Sequence, residues 1–411
     1  LSVWDVFSKK RGKIHNNDHP EIATDFYNRY RDDILLVKEL NIPNFRFSIA
    51  WPRVMPDGTS ASANQPGIDF YNRVIDFCLE CGIEPWVTLY HWDLPHALEL
   101  KGGWTNREIV SWFADYVALC AEKFGDRVKY WMVMNEPSVF VGAGYFLGVH
   151  APGRTGLKNF LPAVHHTVLS IAAGGRILRE LYPAAEIGTT FSCSHIEPYS
   201  QKKRDIAAAK RVDAILNRLF LEPILGLGYP GDIKKFRQLK QYMLPGDDQL
   251  MSFDFDFIGL QNYTREIVRQ SFFIPYVGAR LIKAENRNVP ITTMKWEVHP
   301  PAIYNMIRQF DAYPQIRKII ITENGAAFPD MIKDGEIYDP QRLQYLQDHI
   351  AQVLKAKKEG AKVGGYFVWT LTDNFEWAEG FHPRFGIIHV DFETQKRTIK
   401  ASGKWYGAFL K

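Results

Sequence analysis

Short, nearly continuous apolar runs alternate along this chain with longer stretches in which apolar residues recur every three or four positions. The runs are Phe45–Ala50, Trp86–Tyr90, Tyr130–Met134, Glu186–Phe191, Phe255–Gln261, Ile319–Thr322 and Gly365–Thr370. A strand with one wet face alternates apolar and polar residues, whereas a strand covered on both faces does not. These runs therefore predict strands of a buried parallel sheet. The stretches between them predict helices. In Asp25–Leu40, the residues Tyr27, Tyr30, Ile34, Val37 and Leu40 share one helical stripe. Arg107–Phe124 follows Thr105 and Asn106, either of which can cap its first turn. Phe160–Tyr182, Asp205–Leu219, Pro300–Phe310 and Pro340–Glu359 complete the series. Gly360 stands where a helix C-terminus wants a left-handed residue.

Repeated strand-then-helix units imply one parallel sheet. Seven strands are visible and a closed (β/α)8 barrel needs eight. The expected fold class is α/β, a (β/α)8 TIM barrel made by a single domain over residues 1–411, with its first strand lying before Leu1. Two features point that way. The sequence opens on leucine rather than methionine, and Asp25–Leu40 has no strand ahead of it. No linker-like stretch or internal repeat divides the chain.

Composition changes this picture little. The 411 residues are 46% hydrophobic, ample for a large core. The net charge of +4 comes from 50 basic and 46 acidic residues spread along the chain, which argues against a nucleic-acid partner. No apolar stretch approaches the length of a membrane span, so no membrane partner is expected. Cys78 and Cys81 fall on one predicted helix without further ligands. Together with Cys120 and Cys193 they read as reduced thiols of a cytoplasmic protein. A leader ahead of Leu1 would lie outside this sequence, and nothing in the pattern speaks to oligomeric state.

In a parallel barrel the C-terminal ends of the strands share one rim, and chemistry collects there. Here those ends carry Arg46, His91-Trp92-Asp93, Asn135-Glu136, Gln261-Asn262-Tyr263, Glu323-Asn324 and Trp369. Glu136 and Glu323 each terminate an apolar run. Two carboxylates facing one bond in different protonation states are what glycoside hydrolysis requires. Pro137 lacks an N–H that could stabilise the Glu136 anion, which suits a proton donor. Glu323 follows four apolar residues, so its carboxylate needs a partner, and Arg46 and Tyr263 are available on other strand ends. Trp92, Trp296, Trp369 and Trp377 stand beside polar residues, as suits a ligand with apolar ring faces and hydroxyl edges. Phosphate-binding glycine loops, a GxSxG elbow and HExxH spacing are all missing from the sequence. His91, His165 and His166 have no metal-site context, and neither metal nor cofactor is expected.

Taken together, these residues resemble glycoside hydrolase family 1, the β-glucosidase family. The matching stretches are Ser2-Val3-Trp4-Asp5-Val6-Phe7, Arg46-Phe47-Ser48-Ile49-Ala50-Trp51, Thr88-Leu89-Tyr90-His91-Trp92-Asp93-Leu94-Pro95, Asn135-Glu136-Pro137, Ile321-Thr322-Glu323-Asn324-Gly325 and Asp373-Asn374-Phe375-Glu376-Trp377. The resemblance implies a retaining exo-β-glycosidase, a β-glucosidase acting on unphosphorylated β-D-glucosides and on β-galactosides or β-fucosides as well. Its partner would be a small β-glycoside or oligosaccharide. Glu323 would be the nucleophile, Glu136 the acid/base, and Tyr263 and Arg46 the groups that hold Glu323. His91, Trp92, Asn135, Glu376 and Trp377 would bind the sugar. Trp369 would form its stacking floor, and Trp296 would border the leaving group. Relatives carry Asn-Tyr-Tyr where this chain has Gln261-Asn262-Tyr263, so Gln261 stands in for an asparagine that contacts sugar or aglycone. Thr372 replaces a leucine or methionine, with a local packing effect expected. The family's first-strand glutamine is not in the sequence. Glu376-Trp377 occupy the place where phospho-glycosidases bind phosphate. A weakly catalytic sugar-binding protein and a transglycosidase on the same scaffold are the alternatives.

Overall fold

The seven apolar runs form strands β1 (Asn44–Ser48), β2 (Glu84–Thr88), β3 (Tyr130–Asn135), β4 (Glu186–Ser192), β5 (Phe257–Gln261), β6 (Ile319–Asn324) and β7 (Val363–Val368) in the computed structural model, which describes residues 1–411. They are hydrogen-bonded in chain order and every pair is parallel. Phe26–Glu39, Gln65–Glu80, Ile109–Phe124, Leu157–Leu181, Pro301–Asp311 and Pro340–Lys358 are helices, close to the expected limits. The stretch expected as one helix over Asp205–Leu219 instead divides. It runs as an α-helix over Lys203–Asp213 and then widens to a π-helical turn at Ala214–Arg218.

The sheet curls far enough that Arg46 on β1 reaches Glu323 on β6. Its two end strands, β1 and β7, do not pair with each other. Between them lies an apolar cavity of about 460 Å³, lined by Phe45, Phe47, Tyr366 and Phe367 among others. The cavity accounts for a departure from the expected burial. Strands β5 and β6 are buried at every residue, while β1 is only half-buried throughout.

Trp86, Met132, Phe257 and Ile320, one from each of four strands, pack together as an apolar plug. Trp86 stacks on Tyr130 with ring centroids 4.0 Å apart. Trp369 and Thr370, expected at the end of the last strand, follow β7 in the loop. There the Trp369 N–H donates to Asn324 O at 2.9 Å and ties that loop to β6.

Three strand groups escaped the apolar-run pattern. His195–Pro198, Arg265–Gln270 and Ala279–Leu281 form a small mixed sheet beside the barrel. Met331–Lys333 pairs with Glu336–Tyr338, and Ile388–Val390 pairs with Arg397–Ile399. All are short and most are rich in polar residues, so no apolar run marks them. All four cysteines are free thiols, with Cys78, Cys120 and Cys193 buried. No helix is long and apolar enough to cross a membrane.

Candidate active site

Strand β3 delivers Asn135 and then turns sharply. Glu136 takes a left-handed conformation (φ 47°, ψ 62°) immediately before the short helix Pro137–Val141. Proline fits this first helical position because its missing N–H has no acceptor there. Strand β6 delivers Glu323, which lies opposite Gln261 of β5 in the sheet register. Glu136 and Glu323 both line a cavity of about 260 Å³ at the C-terminal rim. His91, Trp92, Tyr263, Trp296, Trp369, Glu376 and Trp377 share that lining.

The two carboxylates occupy different electrostatic settings. Arg46 Nη1 donates to Oε1 of Glu323 at 2.6 Å, and the Tyr263 hydroxyl donates to Oε2 at 2.6 Å. A cation and a phenol, one on each oxygen, clamp this side chain in position. Glu136 has no such pair. Burial, followed by the negative charge of Glu323, raises its carboxyl well above the usual carboxylate range, and Arg46 and a Ser192 hydrogen bond only partly oppose this. The arrangement therefore favours a protonated Glu136 beside a second carboxyl clamped by a cation and a phenol.

Asn135 is the hub beneath them. Its Oδ1 accepts from Arg46 Nη2, from the Thr190 hydroxyl at 2.8 Å and from Gln261 Nε2 at 2.8 Å. Three donors fix the amide orientation and leave Nδ2 as the donor to other partners. That Nδ2 lies 3.1 Å from Nε2 of His91. Burial, with the Arg46 charge adding to it, lowers the His91 pKa to about 3, so the ring is neutral. Nε2 accepts from Asn135, and the ring proton is consequently on Nδ1. The Trp92 indole N–H donates to the Asn135 carbonyl at 3.0 Å and holds the other side of the same residue.

Trp92 and Trp377 adopt positive φ values of 80° and 48°. Bulky residues in this region cost about 1–3 kcal/mol each and persist where packing over-determines them. Here the packing is aromatic. Trp377 lies 5.3 Å from Trp92 and 4.6 Å from Trp4 between ring centroids, and His91 sits 5.3 Å from Trp92. Glu376, just before Trp377, is pushed up to about 8 by burial and then by Glu323, and its Oε2 has no partner.

Nine of the twelve residues singled out from the sequence thus face one cleft: Glu136, Glu323, Tyr263, His91, Trp92, Trp296, Trp369, Glu376 and Trp377. Arg46, Asn135 and Gln261 do not line it. Gln261, expected as a sugar or aglycone contact, is fully buried and donates its Nε2 to Asn135, while its Oε1 has no partner. Its position behind Asn135 corrects that expectation. Ser192, His150 and Glu266 are among the lining residues that were not singled out. Ser192 ends β4, so the strand-end rule that found the others could have found it. His150 and Glu266 lie on segments outside the barrel strands, where no periodicity marks them. The grouping of Asp330, Asp373 and His389 has spacing that could hold a metal ion. However, Lys400 Nζ sits 2.7 Å from Asp330 and 2.8 Å from Asp373, supplying the positive charge there.

The chain is similar to known proteins along its whole length. The sequence profile described as "Glycosyl hydrolase family 1" matches residues 1–411. Beta-glucosidase A of Thermotoga maritima is 44% identical over 414 residues, spanning all of this chain and 92% of the relative. A 1,4-beta-D-glucan glucohydrolase of Thermotoga neapolitana is 42% identical over the same shares of each chain. The solved structure of a family 1 β-glucosidase from Thermotoga maritima superposes with a TM-score of 0.95 at 41% identity, covering 100% of this chain and 92% of that one. The same Thermotoga maritima enzyme in complex with deoxynojirimycin matches equally well, at a TM-score of 0.95. With a rim of paired carboxylates, a match along its whole length and relatives above 40% identity, the chain belongs to glycosyl hydrolase family 1.

Proposed function

We propose that this chain is a retaining exo-β-glycosidase that hydrolyses unphosphorylated β-D-glucosides, with Glu323 as nucleophile and Glu136 as acid/base, and that residues 1–411 work as one domain. The observation that carries this reading is the unequal treatment of two carboxyls in one cleft. Glu323 is clamped by Arg46 and Tyr263, while burial and the charge of Glu323 keep Glu136 protonated. The named activities of the relatives agree with it.

In the first step, Glu323 attacks the anomeric carbon while Glu136 gives its proton to the departing oxygen. A covalent glucosyl ester forms on Glu323 as the aglycone leaves as an alcohol. Esterification removes the Glu323 charge that adds to burial in raising the Glu136 pKa, and Glu136, left ionised by the proton it has given up, suits the opposite task. It takes a proton from water as that water attacks the ester, and Glu323 is released as carboxylate. In this reading Asn135 bonds the sugar 2-hydroxyl through Nδ2, and three donors to Oδ1 hold its amide in one orientation. Glu376 and His91 take other hydroxyls, and Trp369 offers a ring face.

The lining includes Glu136, Glu266, Glu323, Glu376 and Glu379 and neither lysine nor arginine, which disfavours a phosphorylated sugar. The test is turnover of 4-nitrophenyl β-D-glucoside followed by inactivation with a 2-deoxy-2-fluoroglucoside. The expected result is a stable label on Glu323. A label on another carboxylate, or an aryl glucoside left uncleaved, overturns the assignment.

A further inference from the structure

Glu266 is a cleft-lining carboxylate that the proposed mechanism does not use. It lies on the strand Arg265–Gln270, where successive side chains point to opposite faces. On one face Arg265 is committed, donating to Glu297 at 2.7 and 2.9 Å and to Glu197 at 3.1 Å. Arg287, the other nearby cation, donates to Glu297 at 2.6 Å. Glu266 on the opposite face is left with no hydrogen bond from protein. Burial raises its carboxyl to about 7, with the Glu297 charge adding a little and Arg287 opposing it.

Its neighbours indicate what it faces. The aromatic residues of the cleft fall into two groups. His91, Trp92 and Trp377 touch one another beside Glu376. Tyr263, Trp296 and Phe385 form the second group, with Trp296 centred 5.2 Å from Tyr263. In the glucosidase reading, on which this inference rests, the first group takes the glucosyl unit. The second group, with Glu266 on the same wall, is left for the leaving group.

We propose that Glu266 selects the leaving group, favouring a second sugar over an apolar aglycone. A carboxylate accepts two short hydrogen bonds from neighbouring hydroxyls of a hexose, while the Trp296 indole offers a face for its C–H side. An apolar aglycone in the same place strips water from the carboxylate and returns no hydrogen bond, a cost that discriminates more sharply than a missing contact does.

The experiment measures kcat/KM of the wild type and of Glu266→Gln and Glu266→Leu on cellobiose, octyl β-D-glucoside and 4-nitrophenyl β-D-glucoside. The wild type should take cellobiose over octyl glucoside. The ratio of cellobiose to octyl glucoside should fall about tenfold in Glu266→Leu and by less in Glu266→Gln, which keeps one acceptor. A wild type that prefers octyl glucoside, or a ratio in active variants within twofold of the wild type, overturns the proposal. Wild-type protein inactive on all three substrates overturns the glucosidase reading itself, an outcome distinct from an unchanged ratio.

Discussion

Arg46 places Nη1 2.6 Å from Oε1 of Glu323, although their strands are separated by most of the chain. The same guanidinium donates through Nη2 to Asn135, so one planar group fixes Glu323 relative to the Asn135 amide. Lysine carries the charge but cannot hold two partners in a fixed fork. Arg46→Lys should therefore fold and keep its melting temperature within a few degrees. It should lose about 10–100-fold in kcat on 4-nitrophenyl β-D-glucoside, because a misplaced nucleophile forfeits pre-paid orientation. A kcat within threefold of the wild type would mean that the bridge is dispensable.

Glu136 should matter in proportion to how badly the leaving group needs a proton. Glu136→Gln keeps the shape and removes the proton. On an alkyl β-glucoside the loss should be about 10²–10⁴-fold, the usual range for general acid catalysis. On 2,4-dinitrophenyl β-D-glucoside, whose leaving group departs as an anion, the first step should be almost untouched and glucosyl-enzyme should accumulate. Pre-steady-state burst kinetics read both outcomes. Equal losses on the two substrates would remove Glu136 from the acid role.

Much of this site was legible because two regularities act together. Burial on both faces makes the barrel strands read as apolar runs, and the barrel gathers the residues at the end of each run onto one rim. That is how Glu136, Glu323, His91, Trp92, Tyr263 and Trp369 could be brought together without coordinates. Residues supplied from outside the strands had no such signal. Glu266 sits in a six-residue strand with four polar side chains, and His150 in a loop. The direction of a side chain was equally hidden. Gln261 ends β5 as a sugar contact would, yet it turns inward to Asn135, because the barrel interior beneath the rim must satisfy the Asn135 amide. The half-buried state of β1 was also out of reach, since it depends on which strand stands beside it.

The inward turn of Gln261 makes a separable prediction. If it acts only by holding Asn135, its loss should be felt through the sugar 2-hydroxyl and nowhere else. Gln261→Leu should lower kcat/KM on 4-nitrophenyl β-D-glucoside about tenfold, because one of the three donors that orient the Asn135 amide is lost. On the 2-deoxyglucoside, which has no such hydroxyl, wild type and variant should differ by less than threefold. The same loss on both substrates would point to a collapse of the rim instead.

Glu376 offers a pH-dependent trade between stability and binding. Its carboxyl is raised from 4.5 to about 8, chiefly by burial and then by the charge of Glu323. Between those values the folded protein holds a proton that the unfolded chain has released, so this residue's contribution to stability is complete below about 4.5. It declines as pH rises and is lost above about 8. Glutamine does not titrate. The melting temperature of Glu376→Gln should match the wild type near pH 5 and exceed it by a few degrees near pH 9, while KM for glucosides rises as a strong hydroxyl acceptor is lost. Calorimetry at pH 5, 7 and 9 reads the gap between the two proteins. A gap that stays constant or narrows with rising pH would show that the Glu376 proton is not held in the folded state.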